Sequence, residues 1–163
     1  MNNKVYLVIY TALFYFAINE ITNTLNIFYP YTKYILTILF ALTLFTIEYR
    51  KASMTCYLLF IVVFLFYRHQ VEVNISFDFY LWEWLKLIRR NKIVFINIFG
   101  NLLLFAPLVF YLRGSVLYII IFIVSLELGQ YFTKRGVFDI VDIFLNIVGV
   151  LFGLVLRRLY GKQ

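Results

Sequence analysis

Residues 127–153 read ELGQYFTKRGVFDIVDIFLNIVGVLFG, and the few polar side chains in this stretch decide how the chain folds. Glu127, Gln130, Asp142 and Asn146, with an Arg135–Asp139 pair, stand among residues that otherwise belong in lipid. An ionisable group at mid-bilayer costs roughly 2.5–3.5 kcal/mol on insertion scales, so it faces a partner or a cavity rather than hydrocarbon. Lys134-Arg135-Gly136 is a turn signal between two apolar runs. The stretch therefore predicts an antiparallel helical hairpin, 115–133 and 137–156, with a polar seam between its helices.

Depth along the hairpin follows from counting outward from the turn. Glu127 lies eight residues before Arg135, and the same count forward reaches 143. Glu127 is thus expected level with Asp142 and Asn146, and Gln130 level with Asp139. Asp139, Asp142, Asn146, Gly149 and Gly153 recur at spacings of three and four, which places them on one helical stripe. Gly149 and Gly153 also form a GxxxG pattern, which lets a second backbone approach closely. Upstream, Asn97 and Asn101 are four apart around Gly100. Their amides can donate to Glu127 or Asp142 and satisfy those acids in lipid.

Arg135 is the expected counter-ion for Asp139 or Asp142. Both acids also fall in the first turns of the last helix, where free N–H groups favour negative charge. Helix capping and one ion pair would account for them without a ligand. Capping does not account for Glu127, which lies deep in its run.

The whole composition agrees with a membrane setting. Hydrophobic residues make up 64% of the chain and charged residues 14%, against about 25% charged in soluble domains. One core of this size could not hide so much apolar surface. The net charge of +7 does not form the basic stripe of a nucleic-acid-binding module. Instead Lys4, Lys33, Arg50, Lys51, Arg68, Lys92, Arg113, Arg157 and Arg158 stand at the ends of apolar runs, where helix anchors meet anionic lipid. Cys56 is the single cysteine and His69 the single histidine. The spacing of these residues gives no metal site and no intrachain disulfide, and no cofactor is expected.

Outward from the hairpin, apolar runs cover 5–18, 34–47, 52–67 and 93–112. The first three are short for a span of about 20 residues, and flanking Tyr and Thr can lengthen them into the interface. A signal peptide at the amino end is disfavoured by its single Lys4 and the lack of a small-x-small cleavage site. Residues 19–33 read as a connection broken by Pro30. In 71–92, Phe77, Tyr80, Leu81, Trp84, Leu85 and Ile88 recur at helical spacing, predicting an amphipathic helix lying in the headgroup region. The expected architecture is an all-α membrane protein with about six transmembrane helices and one amphipathic interfacial helix. It forms a single polytopic domain over 1–163. With both termini inside, most loop bases are cytoplasmic, and the polar constellation lies toward the outer face.

The same residues carry a resemblance. Asn101 to Pro107 (NLLLFAP), then Ser125-Leu-Glu127-Leu-Gly-Gln130, then Arg135-Gly-Val-Phe-Asp139-Ile-Val-Asp142 with Asn146, Gly149 and Gly153, resemble the VanZ-like family across about 97–155. One departure is Val109, where the family often has a glycine. The resemblance implies a bacterial plasma-membrane protein of several spans. The family's namesake is associated with resistance to teicoplanin-type glycopeptides, which carry an acyl tail.

Three functions compete at this point. A non-enzymatic envelope protein would bind an amphiphile, either a lipoglycopeptide or a lipid-linked wall precursor, at the outer leaflet. Its polar site would be Asn97, Asn101, Glu127, Gln130, Arg135, Asp139, Asp142 and Asn146, with Gly149 and Gly153 packing the helices and membrane lipids around it. An intramembrane hydrolase or transferase would use Glu127 as base and Arg135 on phosphate, or Asp139 and Asp142 on a hard cation. Against that reading, neither a Ser or Cys nucleophile with a paired base nor a phosphate-binding glycine loop is present. A small transporter would be the third, without an evident inverted repeat.

Overall fold

Polar residues that read as a connection extend the first helix instead. The computed structural model describes residues 3–72, 75–112 and 116–160, and the chain forms two units, Met1–His69 and Gln70–Gln163. In the first unit α1 runs from Asn3 to Leu25, past the expected end at 18. Inside the helix the Thr22 hydroxyl donates to the Asn19 carbonyl at 3.1 Å, and Lys33 Nζ donates to Asn19 Oδ1 at 2.8 Å. These local bonds let the polar end stay helical. Asn26 stops it, at φ 50°, a left-handed conformation that asparagine tolerates.

Helices α2 (Thr32–Phe45) and α3 (Arg50–Phe66) follow, and α2 packs against both neighbours. Leu36, Tyr57, Phe60, Ile61 and Leu65 are buried between them. Phe14 stacks on Phe40 at 4.0 Å and meets Phe60 edge-on at 5.7 Å. The Ser53 hydroxyl donates across to the Thr43 carbonyl at 2.9 Å, a small-residue crossing of the kind that joins helices in lipid. The unit closes at its far end, where Phe28 bridges Arg68 and the His69 N–H donates to the Ile27 carbonyl at 2.8 Å.

The second unit holds a two-residue strand β1 (Ile75–Ser76), α4 (Leu81–Leu87), α5 (Lys92–Leu104), α6 (Leu108–Tyr111), α7 (Val116–Phe132), strand β2 (Phe138–Asp139) and α8 (Ile140–Tyr160). Helices α5, α6 and α7 each pack on α8, so the last helix is the centre of this unit. Asn91 caps α5, its side chain accepting from Ile93 N at 2.9 Å. Pro107 separates α5 from α6, because proline has no N–H to continue the ladder. Residues 113–115 and 161–163, which include the expected Arg113-Gly114 turn, the start of the fifth run and Lys162, lie outside the described residues.

The segment 71–92 corrects the expectation of one amphipathic helix. Among the described residues before α5, the helix there is α4, seven residues long. Before it, β1 pairs in parallel with β2, Ile75 opposite Phe138 and Ser76 opposite Asp139, and the Val71 N–H donates to the Lys134 carbonyl at 2.9 Å. Val71, Val73, Ile75, Phe77 and Phe79 alternate with polar residues, a two-residue period that marks a strand and not a helix. Nor does the helical face lie free. Tyr80, Leu81, Trp84 and Ile88 pack on a buried cluster of Val94, Ile98, Val141 and Leu145. Phe77, Phe79, Trp82 and Leu85 remain exposed.

Three helices are long and apolar enough to cross a membrane, Val5–Leu25, Lys92–Tyr111 and Ile140–Leu159. Thr32–Phe45 and Val116–Phe132 are apolar but shorter. At 1.5 Å per residue a 17-residue helix spans about 26 Å, a little under the roughly 30 Å hydrocarbon core.

Candidate functional site

Every residue of the expected polar site lies in the second unit, on α5, α7, α8, strand β2 or the turn that follows α7. The turn itself is built by backbone rules. Lys134 takes φ 57°. Its N–H donates to the Tyr131 carbonyl at 3.1 Å, and the Arg135 N–H donates to the Gln130 carbonyl at 2.9 Å. This is a Schellman ending, with lysine where glycine is usual. Gly136 fits closely here for a different reason: a Cβ there would stand 3.1 Å from Gln130 Nε2, which would have to shift by a few tenths of an ångström. Gln130 is therefore buried against the turn.

Asp139 sits at the cap position of α8. Its Oδ1 accepts from the Val141 N–H at 2.8 Å, which satisfies one of the free donors of the helix start. Its other oxygen accepts from the Tyr80 hydroxyl. Desolvation by burial raises the Asp139 carboxyl above the usual carboxylate range, and the Val141 bond opposes that in part.

One turn on, Asp142 Oδ1 accepts from Asn101 Nδ2 at 2.5 Å, so α5 donates to α8. A further turn on, Asn146 Nδ2 donates to Glu127 Oε1 at 3.4 Å, so α8 donates to α7. Glu127 is 5% exposed and Asn146 1%. Glu127 thus meets Asn146, as the depth count expects, while Asn101 selects Asp142 of its two possible acids. Asn97 is half-buried on α5 and takes no part in these bonds. Arg135 is half-buried in the turn. Among the described residues, the buried side-chain atom left without a partner is Asn146 Oδ1.

The glycines of the stripe explain how the helices come so close. A Cβ at Gly149 would overlap the Leu102 carbonyl, and one at Gly153 would lie 2.5 Å from the Ala106 carbonyl. The end of α5 and the Pro107 break therefore rest directly on the backbone of α8. Below the break Arg157 reaches back. Its guanidinium donates to the carbonyls of Val109 at 2.7 Å and Leu112 at 3.2 Å, groups that the short α6 leaves open. Two contacts of this region, Tyr80 to Asp139 and Arg157 to α6, were not legible in the sequence as site contacts. The polar endpoint at Tyr80 was hidden in an apolar pattern, and Arg157 read as an anchor at a helix end.

Chemically, the stripe offers oxygen acceptors and amide donors in a buried seam. Among the described residues no three of His, Cys, Asp and Glu come together closely enough to hold a metal ion. Asp139 and Asp142 each bond a different organic partner.

The sequence model of the VanZ/LLP1 family matches residues 5–161, a range that includes all of these polar residues. This chain belongs to the VanZ/LLP1 family. The match covers nearly the whole chain, so it takes in the first unit as well as the motif region at 97–155. Comparison with curated proteins and with solved structures finds no match. Family and long apolar helices together make this VanZ/LLP1 member a membrane protein.

Proposed function

We propose that this protein is a multi-pass component of the bacterial plasma membrane that binds an amphiphile at the outer leaflet and contributes to resistance to teicoplanin-type glycopeptides. The ligand is a lipoglycopeptide or a lipid-linked wall precursor, with its head group on the α8 stripe and its tail in lipid. The observation that carries this reading is the pairing of Asn101 with Asp142 and of buried Glu127 with buried Asn146, one turn apart on α8, because lipid-exposed helices would not hold these groups. In this reading six helices cross, with α2, α3 and α7 completing their spans through flanking aromatic and basic residues. Both termini lie inside. Exposed Phe77, Phe79 and Trp82 hold the membrane interface.

Expression in a sensitive host tests it. Protection should extend to acylated glycopeptides and fail for an unacylated one, and Glu127→Ala should remove it while Glu20→Ala and Glu48→Ala keep it. Equal protection against both drug types, or equal effects of all three substitutions, would sink the reading. An intramembrane hydrolase or transferase is the second reading. It draws on Asp139, an acid made less ionisable by burial and held beside the Tyr80 hydroxyl. Product formed from a lipid-linked substrate by the purified protein would favour it.

A further inference from the structure

The segment 77–90 has two faces, and the core accounts for one of them. Tyr80, Leu81, Trp84 and Ile88 pack on Val94, Ile98, Val141 and Leu145. Trp82, Leu85, Lys86 and Arg89 recur at spacings of three and four, which puts them together on the other side of α4 and the turn after it. All four are exposed, Trp82 at 69%. Phe77 and Phe79, just before α4, are exposed as well.

Two long helices fix the depth of this outer face. A Cβ at Gly149 would meet Leu102 and one at Gly153 would meet Ala106, so α5 and α8 run in the same direction and start at the same end. Arg89 and Arg90 stand directly before Asn91, the cap of α5, where the apolar helix Lys92–Tyr111 begins. Tyr80 bonds Asp139, directly before the apolar helix Ile140–Leu159. A surface tied to the starts of two such helices lies at head-group depth, where tryptophan and basic residues anchor.

The charge on this face has a definite sign. α4 holds one acid, Glu83, against Lys86 within it and Arg89 and Arg90 directly after it. Asp78 stands before the helix. Lys86 Nζ lies 5.9 Å over the Trp82 ring, so the ammonium and the ring are presented together. A soluble acidic partner would answer the bases and leave the exposed rings in water. A bilayer surface covers the rings and meets the bases with phosphate.

We propose that Trp82, Leu85, Lys86, Arg89 and Arg90 form a binding surface for anionic phospholipid, which gathers there in preference to zwitterionic lipid. This rests on the interfacial placement of Phe77, Phe79 and Trp82, adds which lipid that interface selects, and takes nothing from the glycopeptide reading.

The chain has two tryptophans, Trp82 and Trp84, so tryptophan fluorescence reads this surface. Full-length Trp84→Phe protein is placed in phosphatidylcholine nanodiscs in which the same minor fraction of lipid carries brominated chains, either as phosphatidylcholine or as phosphatidylglycerol. Bromine quenches a ring that it touches. Brominated phosphatidylglycerol should quench Trp82 at least about twofold more than brominated phosphatidylcholine, and the excess should shrink as salt rises. Combining Lys86→Gln, Arg89→Gln and Arg90→Gln should remove the excess and keep the quenching by phosphatidylcholine. If Trp84→Phe does not fold, wild type gives the same comparison, because half-buried Trp84 adds one background to both lipids. Equal quenching by the two lipids, or an excess unchanged in the triple variant, overturns the proposal and leaves the ring at the interface. Quenching by neither lipid overturns the interfacial placement and the proposal with it. Drug protection is read separately, by the Glu127→Ala comparison.

Discussion

Gly149 and the Leu102 carbonyl stand so close that no side chain fits between them. The contact joins α8 to α5 backbone on backbone, two turns along α8 from Asp142 and next to Asn101 on α5. Shape and polarity are therefore set by the same stripe.

Substitution at the glycines should separate close approach from helix propensity. Gly149→Ala puts a methyl into a backbone carbonyl and should cost about 1–3 kcal/mol or more. Gly100→Ala meets nothing within 4 Å and should be neutral or stabilising by about 0.5–1 kcal/mol. Unfolding in detergent with increasing denaturant reads both. Equal losses would mean that the α5–α8 contact is looser than described.

Asn101 and Asp142 should be energetically coupled. A hydrogen bond to a charged group contributes about 1.5–3 kcal/mol, so Asn101→Ala and Asp142→Ala should each destabilise and the double variant should lose less than their sum. A coupling near zero in that cycle would show the 2.5 Å bond to be incidental. Asn97→Ala should change stability by less than about 0.5 kcal/mol, as at ordinary positions outside the seam.

Arg157 should matter to folding and Arg158 should not. Arg157→Met removes donors to two carbonyls of α6 and should cost about 1–3 kcal/mol. Arg158→Met, at an exposed position, should stay within about 0.5 kcal/mol. The comparison needs only the unfolding midpoints of the two variants.

Asp139 predicts a pH dependence with a definite sign. Its folded pKa is raised from 3.8 by desolvation, with Val141 opposing. A carboxyl raised on folding gives its full stability below the unfolded pKa, and that contribution is lost as pH rises through the folded pKa. Asp139→Asn keeps an oxygen for the Val141 N–H, presents an Nδ2 that can donate to the Tyr80 hydroxyl oxygen, and has no proton to lose. Its stability relative to wild type should therefore increase from pH 4 upward. A difference that is flat or falls with pH would contradict the assignment.

Cysteines at 127 and 146 should crosslink under mild oxidation in a Cys56→Ser background. Their side chains already touch through the Asn146–Glu127 bond. A pair at 101 and 127 should crosslink less, since Asn101 turns to Asp142 instead.

The sequence by itself determined the membrane class, the hairpin about Arg135, and the stripe from Asp139 to Gly153. These follow from one-dimensional quantities: the cost of charge in hydrocarbon, the 3.6-residue turn, and equal counting from a turn. Counting was enough to set Glu127 level with Asn146. It could not choose between Glu127 and Asp142 as the acceptor of Asn101, because both were within reach in depth and only the rotation of α5 about its axis decides. The strand at Ile75–Ser76 had a local signal in its alternation, but its partner is more than sixty residues away in β2. Asn19 and Glu20 looked like a loop until Lys33 and Thr22 gave the polar end of α1 its partners. Tertiary structure decided these points because each depends on which backbone or side-chain group another segment brings to the same place, and buried polar groups settle wherever those partners are.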